Sequence, residues 1–441
     1  MKLIENHVVI KTCEGYYLIN ALNGLVDKVS TTYEQIIRRW EEQSDIRPKT
    51  NEEILLYDAL EKRGYLCIDC KEEKHKKETL ICKLRDRHNE VSNKVKAISL
   101  VMTYECNFRC PYCFEATAAD KRGHYITEEH IDAALSFAGE ELQHIGLFGG
   151  EPLLPRNRKA IEYLINKAPD KHYSAITNGY YLDQFIDLFT RVKVSYIMVT
   201  LDGKRELHDR RRVLANGGPT FDVIIKNIGI CLRNGIPIRI RMNVDKDTVG
   251  ESEELRCELI ERFAEYEDNL SFEISPMMEL GQEEKNELIM ELSANDYKHK
   301  SEGIKNVLLS RCSPIVNCIV NGERLYPTYS YCAEETNVYI MDPFGFVYPC
   351  LVAVGHPEYA IGKFYPVREI YKNNIKNRNI ETIEKCKNCK YSLLCGGGCP
   401  IKTRVEYGTY QPECGTILND LYKRIPELIK IRNENVLDGI L

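Results

Sequence analysis

The 441-residue chain is predicted to be an α/β protein built on a parallel, partly closed barrel of six β/α units, a partial (β/α)6 barrel. A small unit of strands and helices precedes the barrel and a cysteine-rich unit follows it. Three observations predict this. From Ala97 onward, short apolar runs with strand periodicity alternate with amphipathic helical stretches, the pattern of a parallel sheet with crossover helices. Before Gly64, three alternating runs are separated by tight-turn residues. The cysteines crowd into two stretches, Cys106 to Cys113 and Cys332 to Cys414. The expected boundaries are 1–70, a charged linker at 71–96, the barrel at 97–311 and the cysteine-rich unit at 312–441.

A chain of this length has room for two or three domains, each with its own core. The net charge of -6 and the lack of a basic tract interleaved with aromatics give no support to a nucleic-acid or membrane-surface partner. No apolar run approaches the ~18 residues of a membrane span. Met1 to Asn6 lacks the apolar core of a signal peptide, so a cytoplasmic protein is expected. Eighteen cysteines exceed what core packing uses, and a reducing compartment disfavours disulfides, which leaves metal ligation. Ten fall in metal-type patterns; Cys13, Cys67, Cys70, Cys82, Cys231, Cys257, Cys312 and Cys318 remain. Cys67-Ile68-Asp69-Cys70 has the spacing of a redox pair but reads as two ordinary thiols at a domain edge, without a strand-to-helix setting.

In the first unit, Val8–Thr12 and Tyr16–Ile19 flank Glu14-Gly15, and Asn23-Gly24 leads into Leu25–Val29, which predicts a three-stranded meander. A helix over Thr31 to Glu42 follows, and Thr50-Asn51-Glu52-Glu53 is a capping box opening a second helix that Gly64 closes. Three strands followed by helices resemble the winged-helix-like peptide-recognition domain of enzymes that modify ribosomally made peptides. The resemblance implies that the third strand and the next helix hold a leader peptide by strand addition. A structural appendage or dimerisation unit is the alternative. Lys71 to Lys96 is dense in charge and poor in apolar periodicity, so a linker with some helix is expected, with no binding role for Lys74, Lys76 or Lys77.

The barrel strands are expected at Ile98–Thr103, His144–Phe148, Tyr173–Thr177, Tyr196–Thr200, Ile236–Val244 and Leu270–Ser275. Working residues of such barrels sit where strands end and loops begin. The polar motifs stand there: Cys106 to Cys113 after the first strand, Gly149-Gly150-Glu151-Pro152 after the second, Thr177-Asn178-Gly179 after the third and Thr200-Leu201-Asp202-Gly203 after the fourth.

Three thiols within eight residues, Cys106, Cys110 and Cys113, fit one loop wrapped on one metal centre; a zinc site of three or four thiolates is the plain alternative. The spacing Cys-x3-Cys-x2-Cys, with Tyr112 before the last thiol, resembles the signature of the radical S-adenosylmethionine (radical SAM) enzymes. That resemblance implies a 4Fe-4S cluster with one open iron that chelates S-adenosylmethionine, and hydrogen abstraction by a 5′-deoxyadenosyl radical. It implies that Gly149 to Pro152 receives the cofactor's ammonium, with Glu151 supplying charge. Thr177, Asn178, Thr200, Asp202, His208, Asp209 and Arg212 would contact cofactor or substrate, with Asn243 a weaker candidate. A charged loop with local ion pairs is the alternative for the residues around Asp202.

Cys332, Gly345 and Cys350, then Cys386, Cys389, Cys395, Cys399 and Cys414, resemble the seven-cysteine pattern of the SPASM extension of radical SAM enzymes that act on peptides. A zinc-ribbon reading of Cys386 to Cys399 stays open. The resemblance implies two auxiliary 4Fe-4S clusters beside the first, three in all. One would be held by Cys386, Cys389, Cys395 and Cys414. The other would be held by Cys332, Cys350 and Cys399, its fourth ligand being Cys318, Cys312 or a substrate thiolate.

The reading that follows is a peptide maturase. It captures a precursor peptide by its leader, draws electrons from a flavodoxin or ferredoxin, and closes a cysteine thioether or a carbon–carbon cross-link. The enzymatic rival is an anaerobic sulfatase-maturase, in which a carboxylate base follows the cysteine equivalent to Cys350; here that position is Leu351. A non-catalytic iron–sulfur or zinc peptide-binding protein is the rival of another class. Glu335, Asp342, Tyr348 and His356 are the candidate bases near the cysteines.

Overall fold

The computed structural model describes residues 1–92, 94–113, 115, 120–277, 280–281, 284–285, 287–288, 292, 307–309, 319, 324–331, 338–371 and 378–438. Cys312, Cys318, Cys332 and Glu335 lie outside the described residues. The chain divides into two compact units. One comprises Met1–Asn93, Arg311–Glu335 and Asn377–Leu441, the other Lys94–Ser310 and Thr336–Lys376. Of the stretch expected as one cysteine-rich unit, the part holding Cys350 thus groups with the barrel and the part holding Cys386 to Cys414 with the N-terminal strands.

The first unit opens with β1 (Lys2–Leu3) and the meander β2 (His7–Thr12), β3 (Gly15–Asn20) and β4 (Leu25–Val29), antiparallel in the order β2-β3-β4. α1 (Thr31–Glu41) is capped by Ser30, whose hydroxyl accepts the Tyr33 amide at 3.2 Å. α2 (Asn51–Lys62) is capped by Thr50 through the Glu53 amide, 3.2 Å. The reciprocal half of the box goes elsewhere, since the Glu53 carboxylate takes the Lys49 amide at 2.6 Å. β5 (Leu66–Cys67) returns antiparallel to β1, and Leu18, Ile36, Ile37, Trp40, Leu56, Leu60 and Tyr65 fill the core between.

The expected linker is instead one helix, α3 (Cys70–Ser92). Its charges support it: Lys76 pairs with Glu72 at 2.7 Å one turn back, and Asp69 Oδ1 accepts the amides of Lys71 and Glu72, both at 2.9 Å. Cys67 therefore ends a strand and Cys70 opens a helix, the strand-to-helix setting that the sequence reading had not given them.

The second unit is organised by one sheet. Its strands are β6 (Ala97–Val101), β7 (His144–Phe148), β8 (His172–Thr177), β9 (Lys193–Thr200), β10 (Ile238–Val244), β11 (Leu270–Pro276) and β12 (Val307–Leu309). All seven are parallel and adjacent in chain order. The crossovers carry α4 (Glu128–Ala138), α5 (Arg158–Lys167), α6 (Ile186–Phe189), α7 (Arg205–Arg211), α8 (Phe221–Arg233) and α9 (Val249–Arg262). Their inner faces, for example Ile131, Ile161, Leu164, Ile224, Ile228 and Leu255, are buried, as are the alternate residues Ile238, Ile240, Met242 and Val244 of β10. The six expected strands are all present, within three residues at their ends. On the other side of β6 the sheet continues with β13 (Val338–Met341), parallel to it, and antiparallel β14 (Phe346–Tyr348), β15 (Gly362–Lys363) and β16 (Glu369–Ile370). The sheet is open, with β12 and β16 at its ends.

The chain then returns to the first unit with α10 (Glu384–Lys387), α11 (Ser392–Cys395), α12 (Pro400–Tyr407), α13 (Gly415–Asn419), a π-helical segment over Asp420–Arg424 and α14 (Ile425–Asp438). α14 packs on β2, with Ile425, Leu428 and Ile429 buried. Among the described residues no helix is long and apolar enough to cross a membrane.

The Thr50 cap gives a local test. Thr50→Ala removes one of the bonds that satisfy the first turn of α2, at a cost of about 1 kcal/mol. Hydrogen exchange at the Glu53 and Ile54 amides is expected to speed up about fivefold, with α3 unaffected; unchanged exchange would mean that packing alone holds this helix end.

Candidate active site

The site is built where β6, β7, β8 and β9 end. β6 leads through Thr103 and Tyr104 into Cys106, and β7 leads directly into Gly149-Gly150. The two segments touch backbone to backbone: the Gly150 amide donates to Thr103 O and the Glu151 amide to Glu105 O, each at 2.9 Å. A Cβ on Gly149, whose φ is +127°, would lie 2.3 Å from Thr103 O; one on Gly150 would lie 2.5 Å from Glu105 O and 2.7 Å from Tyr104 O. Both glycines are dictated by this approach.

Glu151 is 1% exposed, and its carboxylate is held from three sides. Thr177 Oγ1 donates to it at 2.6 Å, the Asn178 amide at 2.7 Å and the Leu153 amide at 2.9 Å. Burial pushes its pKa up, and these donors oppose the shift. The carboxylate thus ties the end of β7 to the end of β8, with capacity for about one more donor. Asn178 passes the connection on: its Nδ2 donates to Asn107 Oδ1 at 2.8 Å and lies 3.9 Å from Cys106 Sγ. Pro152 is buried, its carbonyl accepting Asn157 Nδ2 at 2.9 Å.

A second cluster gathers on the other side of the cysteine loop. Asp202, fully buried after β9, accepts the Tyr112 hydroxyl on Oδ2 and the Asn243 amide on Oδ1 at 3.3 Å. Arg212 Nη1 donates to the same Tyr112 oxygen at 2.7 Å, while its buried Nε has no partner among the described residues. Arg211 lies 3.8 Å from Asp202 and stacks its guanidinium 5.1 Å from the Tyr112 ring centre. His208 and Asp209 do local structural work instead. His208 is buried between the Asp202 amide at 3.4 Å and Thr220 Oγ1 at 3.1 Å, and Asp209 caps α8 through the amides of Thr220 and Phe221. Thr200 is buried at the end of β9.

The cysteine loop is also fastened along its far edge: Arg109 N donates to Val213 O at 2.9 Å and Ala215 N to Asn107 O at 2.7 Å. Burial, with the Glu151 charge beside it, pushes the Cys106 thiol up to about 12. Cys110 is raised by burial and lowered by the Arg212 charge.

Residues 100–256 match the family described as the Radical SAM superfamily. The chain carries a radical SAM domain. A cysteine-type anaerobic sulfatase-maturating enzyme of Clostridium novyi is 23% identical over 349 residues, covering 69% of this chain and 88% of that protein. Among solved structures, histidine-tagged anSMEcpe with bound AdoMet aligns with a TM-score of 0.57 at 18% identity, over 77% of this chain and 99% of that one. Streptococcus suis SuiB bound to precursor peptide SuiA aligns with a TM-score of 0.53 at 13% identity, over 94% of this chain and 99% of that one. These likenesses extend the common fold beyond the matched domain.

The radical SAM domain uses S-adenosylmethionine with a 4Fe-4S cluster, and the loop's donor set fits one. It offers three thiols near one another, one of them, Cys106 Sγ, accepting the Phe108 amide at 3.4 Å, a bond that suits a thiolate sulfur. Among the described residues no group of three or more Cys, His, Asp or Glu side chains is placed to hold a metal ion, so the fit rests on the type and spacing of the donors. Ligation by these thiols requires loss of their protons, which the neighbouring Arg212 charge assists.

The first unit carries the other thiol group. Burial first, and then the neighbouring thiols, push the Cys386, Cys395 and Cys414 thiols up, Cys395 to about 12, with Cys389 among the neighbours of all three. The Cys395–Cys399 loop is held by Arg378, 4% exposed, whose guanidinium donates to Gly397 O at 2.6 Å and Gln411 O at 2.9 Å, and also to Gly398 O. Amides again point at sulfur: Gly397 N to Cys395 and Lys402 N to Cys399, both 3.4 Å. Cys350, in the second unit, follows a hairpin whose Gly345 has φ +82° and lies against Tyr365 O. Of the candidate bases, Asp342 is buried and bonded to Tyr104 at 2.9 Å and Tyr348 at 3.2 Å, while His356 is partly exposed.

Sequence reasoning did not name Asn107, Arg211 or the Val213–Ala215 segment. Asn107 sits inside the motif and Arg211 beside Arg212, but only the fold shows that they face the loop.

Gly150→Ala is expected to force the two strand ends apart, destabilising the domain by about 1–3 kcal/mol and lowering the iron retained after reconstitution. Denaturation midpoint and iron content measure both; an alanine variant with normal values would contradict the account of the close approach.

Proposed function

We propose that the chain is a radical SAM peptide maturase that cross-links a ribosomally made precursor, forming a cysteine thioether. The observation that carries this reading is the pairing of the radical SAM domain with the meander β2-β3-β4. β4 is an edge strand, with no further strand beyond it among the described residues, and α1 follows it directly. An extended leader can add to such an edge by backbone hydrogen bonds. At the other side of the meander α14 packs against β2. The structural likeness to SuiB bound to its precursor peptide spans nearly the whole chain and supports the same reading.

In this proposal Cys106, Cys110 and Cys113 hold the radical SAM cluster. Cys386, Cys389, Cys395 and Cys414 hold one auxiliary cluster; Cys332, Cys350 and Cys399 contribute to another. When bound, the first cluster and S-adenosylmethionine supply the hydrogen-abstracting radical. The protein's own residues position the partners. Gly149 and Gly150 bring the β7 end against the loop, and Glu151 fixes Thr177 and Asn178 beside it. Arg212 keeps one unpartnered donor, Nε, next to Tyr112. Asp202 fixes Tyr112 and, with Asp245 3.3 Å from Arg211, offsets the repulsion between the two arginines. Of the two hydrogens the peptide loses per cross-link, one would be abstracted as an atom to give 5′-deoxyadenosine and the other would leave as a proton and one electron, which the auxiliary clusters are suited to accept; a flavodoxin or ferredoxin would supply the reducing equivalent for the radical SAM cluster.

Sulfatase maturation is the second reading, favoured by the similarity to the C. novyi enzyme. Against it, Leu351 and not a carboxylate follows Cys350, and the nearby Asp342 is engaged by two tyrosines.

The test is anaerobic incubation of the reconstituted protein with S-adenosylmethionine, reductant and a short cysteine-containing peptide encoded beside its gene. A peptide lighter by two hydrogens per cross-link, with 5′-deoxyadenosine formed and a sulfur-to-carbon bond in the fragments, is expected. Formation of 5′-deoxyadenosine with the peptide unchanged, and oxidation of a sulfatase-type cysteine peptide instead, would replace this reading with the second.

A further inference from the structure

Cys67 and Cys70 are absorbed by neither cysteine group, and the structure gives them a setting that differs from that of the spare thiols Cys13, Cys82, Cys231 and Cys257. Cys67 is the last residue of β5 and is 1% exposed. Two residues, Ile68 and Asp69, bend the chain, and Cys70 opens the 23-residue helix α3 with its side exposed to solvent. β1 pairs with β5 in a register that sets Lys2 opposite Cys67. From there the Lys2 ammonium reaches Cys70 Sγ at 3.1 Å, while the Lys2 carbonyl lies 3.8 Å from Cys67 Sγ. One lysine therefore touches both sulfurs. The carboxylates facing the pair are Glu5, 3.2 Å from the Lys2 ammonium and 4.0 Å from Cys70, with Glu72 and Glu73 on the first turn of α3.

We propose that Cys67 and Cys70 are a redox-active dithiol that exchanges with disulfides, Cys70 attacking and Cys67 resolving. The assignment follows from position. Cys70 is exposed at the first turn of a long helix with the Lys2 ammonium 3.1 Å from its sulfur, so it is the sulfur of the pair that an external disulfide can reach. Cys67 is enclosed, and burial pushes its thiol up to about 11, which suits a group that acts only once a mixed disulfide has formed beside it.

In the first step the Cys70 thiolate attacks one sulfur of a disulfide R–S–S–R; that bond breaks and one R–S⁻ leaves, taking up a proton. In the second, Cys67 loses its proton, attacks Cys70 Sγ and expels the second R–S⁻, which is protonated in turn. Two electrons pass from the dithiol to the external disulfide, which leaves as two thiols. The substrate class is a disulfide, whether a small molecule such as glutathione disulfide or an oxidised cysteinyl peptide.

The closed pair would tighten the first turn of α3, where the Glu73 carboxylate accepts the amides of Glu5 and Asn6, both 2.9 Å, and Asn6 Nδ2 at 2.7 Å. These residues lead into β2, so the oxidation state reaches the root of the meander. The inference stands apart from the peptide-maturation reading and survives its failure.

The experiment uses the full-length reconstituted protein under anaerobic conditions, with iodoacetamide labelling resolved by peptide mass spectrometry. Cys70 is expected to alkylate at least tenfold faster than Cys82 and Cys257, which are also exposed, and Lys2→Gln should remove most of that advantage. With glutathione disulfide, a fragment linked through Cys67 and Cys70 should appear, and Cys67→Ser should instead accumulate glutathione on Cys70. A second arm offers a disulfide-linked cysteinyl peptide; linkage only in that arm assigns the site to peptide disulfides, and linkage in the glutathione arm assigns it to small ones. Cys70 alkylating at the rate of Cys82 and Cys257, with no linked fragment in either arm, overturns the proposal.

Discussion

Two backbones pressed together determine the rest of the catalytic end. Gly149 and Gly150 lie against the carbonyls of Thr103, Tyr104 and Glu105, closer than any side chain allows. That contact fixes where the cysteine loop leaves the sheet, and the following residues follow from it. Glu151 is carried into the interior, where an unpaired carboxylate would be costly. It is stable there because Thr177 and two amides meet it. Its three bonds then hold the next strand end, and Asn178 closes the circuit back to Asn107 and Cys106.

Ionisable groups stand on both flanks of the loop. Glu151, buried and held by three donors, is on one. On the other, Arg211 and Arg212 face Asp202, and Tyr112 bridges the aspartate and Arg212 with one hydroxyl. The first unit uses a different device at its own cysteines. There Arg378 binds main-chain carbonyls of the Cys395–Cys399 loop and of the segment just before Cys414, so one buried cation organises chain that has almost no side chains of its own.

Much of this was legible in the sequence because the informative signals are local. A parallel strand is a short apolar run, and the first four such runs here each end in a polar motif. Hence the six strands, Gly149-Gly150 and the Cys106 loop could be located. The turn residues Gly15 and Gly24 likewise placed the meander. What escaped was set by pairing across long distances. Nothing near Val213 in the chain says that it will meet Arg109, and nothing near Lys2 says that it will reach Cys70. The α3 helix escaped for another reason: it has few apolar residues, and its support comes from ion pairs one turn apart and a cap at Asp69, which a search for apolar periodicity passes over. Asp209 and His208 show the converse, polar residues near a motif that serve the fold.

The central claim is that the Cys106 loop and the Gly149–Glu151 strand end together form a site for a cluster that S-adenosylmethionine binds directly. Electron paramagnetic resonance of the reduced, reconstituted protein with and without S-adenosylmethionine tests it most directly. The account predicts a reduced 4Fe-4S signal whose shape changes on adding the cofactor, and whose cofactor-sensitive part disappears in Cys106→Ala. A spectrum indifferent to S-adenosylmethionine, or a protein that retains zinc at these thiols in place of iron, would contradict it.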